Sequence, residues 1–232
     1  MTATVELIML PGLDGSGALF ERFQRQLGQR VQWSSTSYPM TETDTYKSHA
    51  GRIRQSLSGG PYVLLGESFG GPIAIELAAA LPDRIKGLIL VGTFVASPWP
   101  SWVVNAASHF DLRPVPRALL DLALIGWRAD PELAKSIAAI LAELPPAVVR
   151  SRLKEVARVD VRGALQSVRC PILALHGTRD RLVSPAPIQA ALRMNPQATT
   201  KLIHGPHMLL QTGTKDCADA VAAFVREIEA HL

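Results

Sequence analysis

Short apolar runs recur along the chain, each closed by a turn marked by glycine or proline and followed by a segment with helical spacing. Val5–Leu10 is apolar apart from Glu6 and ends at Pro11-Gly12. Tyr62–Leu65, Leu88–Val91, Pro171–Leu175 and Thr200–Ile203 repeat the pattern, and Val31–Tyr38 is a weaker version suited to a sheet edge. Runs that are apolar at successive positions predict strands covered on both faces, as in a parallel sheet. Between them, Ala18–Leu27, Tyr46–Leu57, Phe69–Leu81, Pro185–Met194 and Lys215–Leu232 read as helices. The alternation predicts an α/β fold with a mostly or wholly parallel sheet of about six strands and helices on both faces.

The rhythm stops between residues 97 and 168, which hold three helical segments and no strand-like run. One opens at Asp130-Pro131-Glu132, with an N-cap aspartate, proline at the first helical position and an acid in the first turn. Leu133, Ile137, Ile140, Leu141 and Leu144 follow on one face, and Pro145-Pro146 ends the run. The chain therefore divides into a core, residues 1–96 and 169–232, and a helical cap or lid, residues 97–168. Such an insert is expected to lie over the C-terminal edge of the sheet, where open α/β folds bind ligands.

Composition narrows the class. Of 232 residues, 47% are hydrophobic and 19% charged, which excludes a disordered chain. The net charge of +4 comes with no dense basic block interleaved with aromatics, so nucleic acid is not an expected partner. Gly87–Phe110 is free of charge and long enough to span a bilayer, but Pro98 and Pro100 interrupt it, and Gly92, Ser97, Ser101 and Asn105 dilute it. It reads as a buried strand, a loop and a new helix, not a membrane span. The N-terminus has no basic region, and Leu7–Leu10 is too short for the apolar part of a signal sequence. With two widely spaced cysteines, Cys170 and Cys217, a cytoplasmic protein with reduced thiols is expected.

Candidate chemistry centres on Gly66-Glu67-Ser68-Phe69-Gly70, a G-x-S-x-G pattern between a predicted strand and a predicted helix. A sharp strand-to-helix turn there would hold Ser68 in a strained conformation at the sheet edge, with glycines allowing close backbone approach. The alternative is a glycine-rich turn with an incidental serine. A serine nucleophile needs a base and an acid that orients it. His207, in His204-Gly205-Pro206-His207 after the last strand, is the candidate base; His204 belongs to the strand end, and His176 to the end of the strand before Gly177. A metal site at His204 and His207 is disfavoured, because Gly205-Pro206 between them cannot form the helix such a pair needs. Asp180, in the loop after His176, is the candidate acid. The oxyanion-binding N–H groups are assigned to Phe69 and, in the loop Leu10–Gly17, to Leu13. The glycines of that loop fit G-x-x-G-x-G and not the dinucleotide pattern, and Ser35–Tyr38 supplies no ribose-binding acid.

Taken together, Leu10–Gly17, Gly66–Gly71, Gly177–Asp180 and Gly205–His207 resemble the α/β-hydrolase superfamily over nearly the whole chain, and Ser68, Asp180 and His207 follow its order of nucleophile, acid and base. Two features depart from the common pattern: Pro11-Gly12 stands where many relatives have His-Gly, and the chain opens directly on the strand feeding that loop. The stretch Asp160–Pro171 followed by His176–Asp180 is similar to the carboxylesterases that cleave the methyl ester of pimeloyl-acyl carrier protein.

The resemblance implies a carboxylesterase-type serine hydrolase acting through an acyl-enzyme on a small-molecule ester, with no cofactor and no metal. Phe94, Trp99, Trp102 and Met208 are candidates for an apolar acyl or alcohol pocket. An acyl thioester hydrolase, a lyase or acyltransferase on the same fold, and a non-catalytic ligand-binding homologue are the alternatives. Between Arg150 and Arg169, Arg150, Arg152, Lys154, Arg158, Arg162 and Arg169 stand against Glu155 and Asp160. That surplus is either a solvated helix face or a docking surface for acyl carrier protein.

Overall fold

A computed structural model describes residues 4–100, 102–103, 116–127, 130–193 and 195–232. Six strands form one sheet: β1 (Glu6–Leu10), β2 (Gln32–Ser35), β3 (Tyr62–Glu67), β4 (Ile85–Val91), β5 (Ile172–Gly177) and β6 (Ala198–Ile203). Their order is β2-β1-β3-β4-β5-β6, and every neighbouring pair is parallel. The chain thus starts at β1 near one edge, steps outward to β2, then crosses back past β1 to build the other half. Such a reversal opens a crevice at the C-terminal ends of the central strands.

The doubly apolar runs explain the two cores. Successive side chains of a strand point to opposite faces. Ile8, Leu10, Leu64, Leu88, Leu90, Ile172 and Ala174 face one layer, packing against α2 (Tyr46–Ser56), α3 (Gly70–Ala80), α7 (Arg162–Ser167) and α8 (Pro185–Leu192). Leu7, Met9, Val63, Leu65, Ile89, Val91, Leu173 and Leu175 face the other, under α1 (Glu21–Leu27), α9 (Leu209–Thr212) and α10 (Thr214–Ala230). β2, with the pattern expected of an edge, is the edge and is only partly buried.

Four helices are described between β4 and β5, where the sequence predicts three helical segments over residues 97–168: α4 (Arg117–Leu124), α5 (Pro131–Glu143), α6 (Pro146–Arg158) and α7. Asp130 caps α5, accepting from the Glu132 N–H at 2.9 Å. Pro131, Pro146 and Pro185 each sit in the first turn of a helix, where a missing N–H costs nothing. The short α7 is only six residues long, too short for a periodic signal, and packs against α3 with its Leu165 buried in the core. An antiparallel bridge between Ala96 and Asp160, with Ser97 N–H donating to Val159 O and Val161 N–H to Val95 O, ties the two ends of the excursion together. The helix expected after Pro100 falls largely on residues 104–115, outside the described residues. Among the described residues, no helix is long and apolar enough to cross a membrane.

Candidate functional site

The turn between β3 and α3 places Ser68. Its φ of 48° makes it the non-glycine residue with positive φ among those described. A β-carbon on Gly66 would lie 2.6 Å from the Gly70 carbonyl oxygen, and one on Gly70 would collide with the Leu10 and Pro11 carbonyls. Only glycine fits those two contacts, and this is what the pattern around the serine requires. The turn is fastened from β4 and the residues after it. Ser68 N–H donates to Val91 O at 2.9 Å, and the Thr93 hydroxyl donates to Ser68 O at 2.5 Å. Ser68 itself is partly exposed, while Gly66, Glu67, Phe69 and Gly70 around it are buried.

Asp180, His207 and Ser68 form a continuous hydrogen-bonded chain. Asp180 Oδ2 lies 2.8 Å from His207 Nδ1, and His207 Nε2 lies 3.0 Å from Ser68 Oγ. The Asp180 side chain is fully buried, yet Oδ1 also accepts from the Leu182 and Val183 N–H groups at 2.8 and 2.9 Å. Burial pushes its pKa up, but the His207 hydrogen bond and charge and the two backbone donors outweigh that, and the net shift is downward. An ionised carboxylate only accepts, so Nδ1 carries the imidazole proton and Nε2 offers its lone pair to the serine hydroxyl. That is the tautomer a general base needs.

The other two histidines occupy other places. His204 is exposed after β6, with Nδ1 3.4 Å from the Thr178 hydroxyl. His176 is wholly buried in β5, and neither ring nitrogen has a partner among the described residues. Burial pulls its pKa down to about 4, with Asp180 opposing and His207 adding to the shift, so it is neutral near pH 7. No group of three metal-ligating side chains occurs among the described residues.

The loop after β1 closes on the serine from the opposite side. A β-carbon on Gly12 would stand 3.9 Å from Ser68 Cβ, and a turn closes through Gly15 N–H to Gly12 O at 3.1 Å. Among the described residues, neither the Leu13 N–H nor the Phe69 N–H donates a hydrogen bond. The loop is anchored by Tyr38, whose hydroxyl donates to Pro11 O at 3.0 Å and whose N–H donates to Gly15 O at 2.8 Å. The helical excursion supplies further ties. Met208 N–H donates to Leu124 O at 2.9 Å, and Arg152 of α6 donates to Leu13 O and Asp14 O.

Arg152 corrects one sequence-based expectation. It is 2% exposed and faces inward beside Val148 and Val156, so it cannot belong to a docking surface. Arg162 is paired with Asp160 through Nε and Nη2, and Glu155 is engaged with the Tyr46 N–H at 3.2 Å. Lys154, Arg158 and Arg169 are exposed. Of the apolar pocket candidates, Phe94 is buried in the core and Met208 packs with Ile125, Leu133 and Ile137. Trp99 and Trp102 stand largely exposed.

Tyr38, Thr93 and Arg152 escaped sequence reading as site residues, and so did the buried pair of Glu67 and Gln211. Gln211 Nε2 donates to Glu67 Oε2 at 3.4 Å, while Glu67 Oε1 and Gln211 Oε1 have no partner among the described residues. Burial drives the Glu67 pKa up to about 8; the Gln211 hydrogen bond opposes this and Asp14 adds to it. A neutral carboxyl also offers the O–H donor that the Gln211 oxygen lacks. Folding thus holds a proton on Glu67 between its ordinary value near 4.5 and about 8. The associated stability is present below the lower value and is lost as pH rises through the upper one, by on the order of 4 kcal/mol. Glu67→Gln should melt with wild type at pH 5 and several degrees above it at pH 9. Parallel melting temperatures for both proteins across that range would disprove the assignment.

Comparison with known proteins places the chain in a family. A family model described as serine aminopeptidase, S33, matches residues 15–211. A pimeloyl-[acyl-carrier protein] methyl ester esterase of Stenotrophomonas maltophilia is 32% identical over 71% of this chain and 69% of its own. Polyketide synthase ThaQ of Burkholderia thailandensis is 29% identical over 95% of this chain, which spans only 12% of that protein. In structure, a thermophilic esterase of Thermogutta terrifontis matches with a TM-score of 0.81 over 98% of this chain and 92% of its own, at 21% identity. With six parallel strands, the serine turn after β3 and a family match over most of its length, the chain belongs to the serine aminopeptidase S33 family of α/β-hydrolases.

Proposed function

We propose that this α/β-hydrolase is a serine carboxylic-ester hydrolase that works through an acyl-enzyme. The observation that carries the reading is the unbroken hydrogen-bonded chain from Asp180 through His207 to a partly exposed Ser68, beside two N–H groups free to receive an oxyanion. His207 Nε2 takes the Ser68 proton as Oγ attacks the ester carbonyl, and Asp180 stabilises the resulting imidazolium. The Leu13 and Phe69 N–H groups receive the oxyanion. Collapse returns the proton from His207 to the departing alkoxide and leaves Ser68 acylated. Water, deprotonated by His207, then releases the acid. None of these steps calls on a cofactor or metal.

The residues 97–168 act in this reading as the cap, with Phe94 and Met208 supplying apolar lining and Trp99 and Trp102 at its rim. Two thiols, Cys170 and Cys217, fit a reducing, cytoplasmic setting. A panel of p-nitrophenyl esters of graded chain length, run beside a serine-reactive phosphonate, tests the proposal. Turnover with stoichiometric labelling of Ser68 is expected. Labelling without turnover would favour a lyase or transferase, and neither would favour a ligand-binding homologue.

A carrier-linked acyl group is the finer reading, supported by the acyl-carrier esters named for the Stenotrophomonas relative and by the likeness to a polyketide synthase. An acyl thioester substrate belongs to the same reading. The exposed Lys154 and Arg158, for which no ion pair is found among the described residues, are suited to steering an acidic carrier. Charge reversal of Lys154 and Arg158 together should lower kcat/KM on a carrier-linked ester by about tenfold at low salt and by less at high salt. The matching small ester should be unaffected. Equal losses on both substrates would make this stretch ordinary surface.

A further inference from the structure

Arg152 is an arginine almost wholly removed from water, yet no carboxylate hydrogen-bonds to it among the described residues. Burying a guanidinium is costly unless its donors are met. Here main-chain carbonyls meet the Nη1 and Nη2 donors, while Nε is buried without a partner among the described residues. Nη1 donates to Leu13 O at 2.7 Å and to Asp14 O at 2.9 Å, and Nη2 donates to Pro39 O at 3.1 Å. The guanidinium carbon also lies 5.8 Å from the centre of the Tyr38 ring, within reach of a cation–π contact. The loop is shaped to receive it: a β-carbon on Gly15 would come 2.7 Å from Nη1, and Gly15 adopts a φ of 69°.

Two of these carbonyls, Leu13 O and Asp14 O, belong to the segment that follows directly on the Leu13 N–H; the third, Pro39 O, lies beyond β2. Two peptide oxygens of one short turn accept from one nitrogen, Nη1, of a rigid planar guanidinium whose Nη2 is held on Pro39 O, while Tyr38 holds the same turn at Pro11 O and Gly15 O. The fork comes from α6, in the middle of the helical excursion. Leu13 N–H can stabilise an oxyanion only if its direction is fixed before the reaction, because a displacement of about 1 Å is worth about 10²-fold in rate.

We propose that Arg152 is a positioning residue for the oxyanion loop: seated from α6, its guanidinium clamps the Leu13 and Asp14 carbonyls and so sets the Leu13 N–H towards Ser68. The inference rests on the serine-hydrolase reading above. Its consequence is that the helical excursion, besides covering the sheet edge, completes the catalytic machinery through one side chain. If α6 lifts from the core, the clamp is withdrawn and the oxyanion site loses its order.

The test uses the full chain, a p-nitrophenyl ester, and end-point titration with a phosphonate so that rates are counted per reactive Ser68. Arg152→Ala should lower kcat by about 10²-fold with KM within threefold, and should slow phosphonylation in parallel, because the phosphonyl oxygen uses the same donors. Arg152→Lys, which keeps a cation but whose single nitrogen cannot stand at both the Nη1 and Nη2 positions, should lose about tenfold. Methylguanidinium added to Arg152→Ala should restore kcat in a saturable way, and should leave Ser68→Ala inactive. A purely structural role predicts otherwise: a lowered melting temperature, unchanged kcat per titrated site, and no rescue of rate. Wild-type kcat per site in Arg152→Ala, or in Arg152→Lys if the alanine variant does not fold, would overturn the proposal. Wild-type protein that labels yet turns over no ester would instead remove the hydrolase reading, a separate outcome.

Discussion

Ser68→Ala should keep the wild-type melting temperature to within a few degrees and lose about 10⁴–10⁶-fold in kcat on any ester the protein hydrolyses. The side chain contributes one hydrogen bond to the fold, the one to His207 Nε2 at 3.0 Å. The turn is held by main-chain and neighbouring groups instead: Ser68 N–H on Val91 O, Thr93 on Ser68 O, and the glycine contacts at 66 and 70. Alanine at φ 48° is slightly less at ease than serine, so a small stability loss is expected. The chemistry, in contrast, loses its nucleophile, and only oxyanion binding and substrate positioning remain. Kinetics on matched, folded preparations decide the matter. Activity within tenfold of wild type would leave Ser68 as a turn residue.

The second large effect separates two histidines only three positions apart. His207→Ala should fall as far as Ser68→Ala, whereas His204→Ala should stay within a few-fold of wild type. The reason is geometric: His207 bridges Asp180 and Ser68, while His204 is exposed and touches Thr178. Asp180→Asn should lose about 10⁴-fold in kcat. Its amide oxygen can still accept from the Leu182 and Val183 N–H groups, which turns the NH₂ towards His207 Nδ1. The imidazole then carries its proton on Nε2 and cannot accept one from Ser68. An inactive His204→Ala beside an active His207→Ala would exchange the two assignments, and an active Asp180→Asn would remove the acid.

Much of this was written locally. The sheet was legible because a parallel strand buried on both faces must be apolar at successive positions, as in Leu88–Val91 and Ile172–Leu175. The serine turn was legible because steric exclusion at Gly66 and Gly70 leaves no other residue type, and Asp130-Pro131 because a helix start has few chemical solutions. The short α7 was not, since six residues are less than two turns and its burial depends on what lies across from Leu165.

Arg152 marks the boundary most clearly. Its composition places it with the basic residues of α6, and charge alone assigns such residues to a solvated face. Helical spacing pointed the other way, because Val148, Arg152 and Val156 fall on one stripe, but nothing local says that the stripe would meet carbonyl oxygens 138 and 139 residues away in sequence. The chain by itself determined the strands, the longer helices and the identity of the reactive groups, because those follow from backbone sterics and side-chain periodicity. Which buried groups are left to share protons and which cation faces inward were decided only by tertiary structure, because a hydrogen bond depends on where two distant segments stop relative to each other to within an ångström.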